Sequence, residues 1–366
     1  MEMQTSDWEI EIMRKGYSDN MPWLSDGFAP IGGDLGNANS DFVVSEIPAY
    51  MPSGSGEHLY LWIEKCGKST QAVTQKVEEV FHVRETSVGC AGKKDVHAVT
   101  RQWVSVETPS DGSSEVEILN GLGWMQVLQV SRHTNKLRMG HLRGNYFTAN
   151  LYGVTATDSE IARALEVLSA KGFINYFGKQ RFGFNGDNVA SGISMLKGCK
   201  AKHQMMKLYV SALQSAIFNL AAGRRFREVG FEARVGDVIQ KLNAGCFVCD
   251  DAETDNERIL RSEIAVTLAL PGKKVMRGSG YGETLENQAY SDVLAFWSSK
   301  DDARETIDSS SLSKLADGTR RTLSCLPDKV SFHRIVDGTV QVEFGLPSGS
   351  FATVFLRHLC GSSFTR

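Results

Sequence analysis

Strand-like and helix-like segments alternate along this chain without a βαβ rhythm, and nothing else in the sequence constrains its fold as strongly. His58 to Lys65 (HLYLWIEK) is rich in aromatic and aliphatic residues and reads as a strand. Ser69 or Thr70 can cap the helix that follows, in which Val73, Val77, Val80 and Phe81 recur at helical spacing. Trp103 to Thr108 and Trp124 to Ser131 read as strands. A helix begins at Asp158 or Ser159, buries Ile161, Leu165 and Leu168, and ends near Gly172. Met205 to Ala222 is the longest helix, with Leu208, Leu213, Ile217 and Leu220 apolar. Cys246 to Cys249 and Val340 to Phe344 read as strands, and Phe351 to Leu359 as a helix. The pattern predicts an α+β chain with mixed or antiparallel sheets.

A chain of 366 residues suggests about two domains. No apolar run approaches the ~20 residues that a membrane span needs. The start, MEMQTSDWEIEIMRKG, is acidic and mixed, unlike a secretory leader. Seven scattered cysteines form no disulfide framework, so a reducing, cytoplasmic setting is expected. Cys246 and Cys249 resemble half a zinc site, but no second pair stands at ligand spacing, and no metal is expected.

The net charge is −3, yet its distribution is uneven. Ile118 to Thr157 has no acid and carries Arg132, Lys136, Arg138 and Arg143 with His133 and His141. Asn188 to Phe226 is also free of acids and carries Lys197, Lys200, Lys202, Lys207, Arg224 and Arg225. Acids gather in Asp250 to Glu263 and Glu283 to Asp302. Such segregation suits one basic face that follows phosphates.

One segment carries chemistry. Gly89 to Trp103 reads GCAGKKDVHAVTRQW, with Asp95 the only acid among glycines, small residues and Lys93, Lys94, His97 and Arg101. Neighbouring cations favour the ionised carboxylate, which can then attack an electron-poor group flanked by phosphates. On residue types alone, a Gly-Lys-Lys-Asp segment is more often a solvated turn.

The spacing from Gly89 to Gln102 resembles the motif G-x-A-G-x-K-D-x-x-A-x-T-x-Q of the TruD family of tRNA pseudouridine synthases. Asp41 to Glu46 (DFVVSE), Gly140 to Phe147 (GHLRGNYF), Asn175 to Gly183 (NYFGKQRFG) and Leu346 to Leu359 (LPSGSFATVFLRHL) resemble its other motifs, in the same order. The resemblance implies a catalytic domain built on a central, mainly antiparallel sheet, with a TruD-specific α+β domain inserted. By alignment to the motifs, residues 1–170 and 320–366 form the catalytic domain and 171–319 the insert, with a return linker near Ser309 to Arg321.

The implied activity is isomerisation of a tRNA uridine, at position 13 of bacterial tRNA, to pseudouridine, without metal, redox cofactor or ATP. The partner is tRNA, with no membrane and a monomer expected. Asp95 would be the nucleophile, at uracil C6 or at the ribose. Phe147 would stack on the flipped base, and Asn145 would orient Asp95 or the uracil edge. Arg181 would pair with Asp95, hold a phosphate, or pin a domain junction. Lys94 would contact phosphate, and His97 would be structural or touch RNA. One departure stands out: where the family has a basic residue five positions before Asp41, this chain has Gly36. Lys93 or Arg181 could supply that charge. The rival reading is a catalytically weak tRNA-binding or tRNA-folding protein.

Overall fold

The computed structural model describes residues 5–24, 27–241, 244–298 and 310–364. The chain divides into two compact units. Unit 1 comprises Met1–Asp26, Lys171–Cys325 and Thr353–His358; unit 2 comprises Gly27–Ala170, Leu326–Ala352 and Leu359–Arg366.

Helix α1 (Asp7–Lys15) opens unit 1. Unit 2 then supplies β1 (Gly32–Leu35), β2 (Phe42–Pro48), β3 (His58–Cys66), α2 (Thr70–Val80), β4 (Val88–Cys90) and β5 (Val99–Glu107). After them come α3 (Ser113–Asn120), β6 (Met125–His133), β7 (Leu142–Val154) and α4 (Asp158–Lys171). Unit 1 resumes with β8 (Phe173–Ile174), α5 (Asp187–Leu196), α6 (His203–Val229), β9 (Val238–Lys241) and β10 (Cys246–Val248). It continues through α7 (Ala252–Leu260), β11 (Ile264–Leu270), α8 (Gly280–Ser298), α9 (Ser311–Leu315), β12 (Thr319–Thr322) and β13 (Ser324–Cys325). The hairpin β14 (Asp328–Val336) and β15 (Thr339–Pro347) returns to unit 2, and α10 (Ala352–Cys360) follows.

Unit 2 is built on a nine-stranded sheet in the order β14-β15-β7-β2-β5-β3-β6, with β1 also on β7 and β4 on β5. Among the described strands only β2 and β5 pair in parallel, so the sheet is mainly antiparallel, as expected. Its axis is β7, a 13-residue strand with no counterpart among the sequence expectations. There Phe147, Ala149 and Leu151 are buried, alternating with half-buried Thr148 and Asn150, the period of a strand. Strand β3 presents Leu59, Leu61 and Ile63 to the same core as Val73 and Val77 of α2. Ser69 caps α2 by accepting from the Ala72 amide, which satisfies one orphan donor of the first turn.

In unit 1, β10-β9-β11-β12 form one sheet and β13-β8 a second. Helix α6 runs 27 residues, well beyond the expected Met205 to Ala222, and is buried from Ala212 to Gly223. A helix buried on every side belongs to the middle of a core. The return linker expected near Ser309 to Arg321 is instead ordered structure of unit 1. Ser309 lies outside the described residues, but the rest includes α9 and β12, and β12 pairs with β11. Arg320 in it pairs with Glu286 at 2.7 Å.

The basic windows are also less uniform than their composition. Arg224 bridges Glu9 and Asp292, each at 2.6 Å. Arg225 is fully buried against Asp237. Both charges are neutralised inside unit 1, so neither belongs to a phosphate-tracking face.

Candidate active site

Asp95 lies in the loop from β4 to β5, and neighbouring elements hold that loop at almost every step. Gly89 runs against the Leu137 carbonyl, which a Cβ at Gly89 would meet at 2.1 Å, so no larger residue fits. The Ala91 carbonyl accepts from the Gly140 amide at 2.8 Å. The Gly92 carbonyl accepts from the Gln102 amide nitrogen at 3.1 Å. The Lys94 amide donates to Thr70 Oγ1 at 2.9 Å, and that hydroxyl donates to Gln102 Oε1 at 3.0 Å. The Asp95 carbonyl accepts from Lys65 Nζ at 2.5 Å. The side chain itself is left half-buried: among the described residues the Asp95 carboxylate makes no hydrogen bond and no ion pair.

Two buried lysines bear on the loop, and they behave differently. Lys94 turns inward and pairs with Glu46 at 2.8 Å, both side chains being almost wholly buried. Glu46 also accepts from the Trp103 amide at 3.4 Å. The expected phosphate contact by Lys94 is therefore corrected: its ammonium is enclosed, and it fixes the residue before Asp95. Lys65 continues the buried face of Leu59, Leu61 and Ile63 and is 1% exposed. Burial pulls its pKa down to about 8, against the opposing pull of the Asp95 charge. Sequence reasoning missed Lys65. The available signal was a lysine in phase with the apolar face of a strand, where a charge needs a reason.

The other expected cations differ in their surroundings. Lys93 and His97 are exposed, and Arg101 pairs with Glu64 at 2.7 Å. Arg181 lies in unit 1, where its Nε donates to Ser215 Oγ at 3.3 Å and its guanidinium lies 5.6 Å from the Phe177 ring centre. Burial lowers its pKa. Position 36 has no room for a cation. A Cβ there would meet Asp41 Oδ2 at 2.1 Å and the Tyr152 ring at 2.5 Å. Asp41 accepts from the Ala38 amide and from the Tyr152 hydroxyl, which keeps it in that place.

Cross-strand register puts Asn145 opposite Glu46, and Phe147 opposite Val44 and Phe344. Paired residues share a sheet face. Thr100 lies opposite both Val44 and Lys65, so Lys65, Thr100, Glu46, Asn145 and Phe147 all stand on one face. Asn145 Oδ1 is buried and has no hydrogen-bond partner among the described residues. An orphaned buried acceptor suits a donor that arrives with a ligand. Phe147 does not present the open face that stacking on a base requires. It is 5% exposed and stacked between Phe42 at 5.7 Å and Phe344 at 5.3 Å. Its expected stacking on the flipped base is corrected to a core role in an aromatic row across β2, β7 and β15. Phe147→Leu is expected to cost about 1–2 kcal/mol of stability through lost ring packing. A urea midpoint indistinguishable from wild type would contradict this.

The family described as tRNA pseudouridine synthase D (TruD) matches this chain over residues 20–200 and 194–359. The tRNA pseudouridine synthase D of Anaeromyxobacter dehalogenans (strain 2CP-C) is 35% identical over 356 residues, covering 93% of this chain and 96% of that one. That of Thermus thermophilus is 34% identical over 346 residues, covering 93% and 92%. A crystal structure of the putative tRNA pseudouridine synthase D from Methanosarcina mazei superposes with a TM-score of 0.73. It covers 98% of both chains at 19% identity, which shows a shared fold.

Proposed function

The chain belongs to the TruD family and is a tRNA pseudouridine synthase, isomerising uridine in tRNA to pseudouridine, and we propose that Asp95 is its nucleophile. The observation that carries this reading is the Asp95 carboxylate, unpaired among the described residues, on a loop whose backbone is anchored on both sides of it. A nucleophile must be held in place and left free to react, and anchoring the backbone does both.

The reaction breaks the bond from ribose C1′ to uracil N1, turns the base, and joins C5 to C1′. N1 gains a proton and C5 gives one to water. The carboxylate adds to uracil C6 and is eliminated as C5, once joined to C1′, loses its proton, or it attacks C1′ as N1 leaves and is displaced when C5 bonds there. The uridine first leaves its stack, which costs a few kcal/mol. Asn145 Oδ1 accepts from the uracil edge once the base is in place. Position 13 of tRNA is the proposed target, on the resemblance alone. Unit 1 between Lys171 and Cys325 is the proposed inserted domain. Among the described residues no helix is long and apolar enough to cross a membrane. The deciding experiment is tritium release from tRNA labelled at uridine C5, because joining C5 to C1′ expels that hydrogen into water.

Lys93, Arg138 and Arg143 are exposed, with no carboxylate at ion-pair distance among the described residues. The turn carrying Arg138 is tied to the Asp95 loop by the bond from Gly140 to Ala91. These three cations are the proposed phosphate contacts beside the reacting nucleotide. Tight binding of tRNA is expected to weaken steeply with salt, each phosphate contact adding about 0.7–0.9 to the slope of log K against log salt. Replacing all three with alanine is expected to lower that slope by about 2. An unchanged slope would move the contacts elsewhere.

A further inference from the structure

Lys65 is a buried ammonium that core packing does not explain. It is 1% exposed, continues an apolar strand face, and among the described residues makes no ion pair. Desolvating a charge this way is costly, and a methionine would fill the same space without that cost. Its hydrogen bond goes to the Asp95 carbonyl. We propose that Lys65 is a positioning residue for the isomerisation, fixing the Asp95 backbone and holding a positive charge beside the reacting carboxylate. The proposal rests on Asp95 being the nucleophile.

The charge follows pH. Burial brings Lys65 down to about 8; Asp95 and Cys66 favour its protonated form and Lys94 opposes it. Its cross-strand neighbours, Thr100 on β5 and Met125 on β6, carry no charge. Below pH 8 the ammonium is present. As pH rises through 8 it becomes neutral, the field beside Asp95 is lost, and turnover falls.

The test is steady-state tritium release by wild type, Lys65→Met, Lys65→Arg and Asp95→Asn, with tRNA binding and thermal unfolding measured on each. Lys65→Met is expected to lower kcat about 30-fold with KM within about threefold. Wild type is expected to lose kcat above pH 8, and Lys65→Arg, which stays charged, to lack that alkaline limb. A folded Lys65→Met at the wild-type rate, or an identical limb in Lys65→Arg, overturns the proposal. If neither variant folds, the Lys65 ¹⁵N ammonium shift in wild type decides: titration together with kcat supports the role, and titration apart from it overturns it. Full-rate Lys65→Met beside inactive Asp95→Asn removes Lys65 alone. Turnover by Asp95→Asn removes the reading beneath it.

Discussion

Asp95→Asn is expected to abolish tritium release from C5-labelled tRNA, by at least about 10³-fold, while tRNA affinity stays within about threefold. The change swaps one carboxylate oxygen for an amide group of the same shape. None of the loop's anchors uses the Asp95 side chain: they run through Gly92, Lys94, and the Asp95 carbonyl. The loop and the fold should therefore survive. What is lost is an anionic nucleophile, and an amide does not replace it. Affinity should survive because exposed cations such as Lys93, Arg138 and Arg143 are untouched. Turnover near wild type would remove Asp95 from the mechanism. Loss of binding together with turnover would make Asp95 a recognition group. Binding without turnover by wild type itself, across a mixed tRNA pool, would favour a tRNA-binding protein without this chemistry.

Glu46→Ala is expected to cost about 3–5 kcal/mol of stability. The cost comes from what remains: Lys94 keeps a buried ammonium with no counter-charge, and the Trp103 amide loses its acceptor. Both effects fall on residues that frame the Asp95 loop, so turnover should fall with stability. The double change Glu46→Leu with Lys94→Met is expected to recover most of the stability, because no charge is then left unpaired. Urea midpoints of wild type, single and double variants measure this. A Glu46→Ala midpoint within about 1 kcal/mol of wild type would show that the pair does not hold the loop.

Several elements were legible because local rules set them. Helix α4 begins at Asp158 and ends at Lys171, where Gly172 takes a φ of +75°. Strand β3 and its capped helix α2 fall where the sequence pattern puts them. The C-terminal helix, expected over Phe351 to Leu359, forms over Ala352–Cys360. Strand β7 was missed although its alternation is present, because LRGNYFTANLYGV mixes glycine and asparagine into both faces. Those residues weaken strand propensity, and pairing with β15, β2 and β1 overrides them.

The candidate site divides the same way. The order of motifs was enough to identify the family and to single out Asp95. Glu46 and Gln102 stand in the sequence only as the last residues of two motif segments, and their work as loop anchors emerges from the packed sheet. Three assignments depended on residues far apart in the chain. Lys94 meets Glu46 across 48 positions, Lys65 meets Asp95 across 30, and Phe147 meets Phe344 by strand pairing. A lysine on a loop looks like a solvent cation until its environment is known. Burial and counter-charge decide whether it binds phosphate, holds a loop or tunes a nucleophile. Those are properties of what surrounds a side chain in space, so local periodicity and capping could place helices and motifs but only tertiary packing could assign the charges.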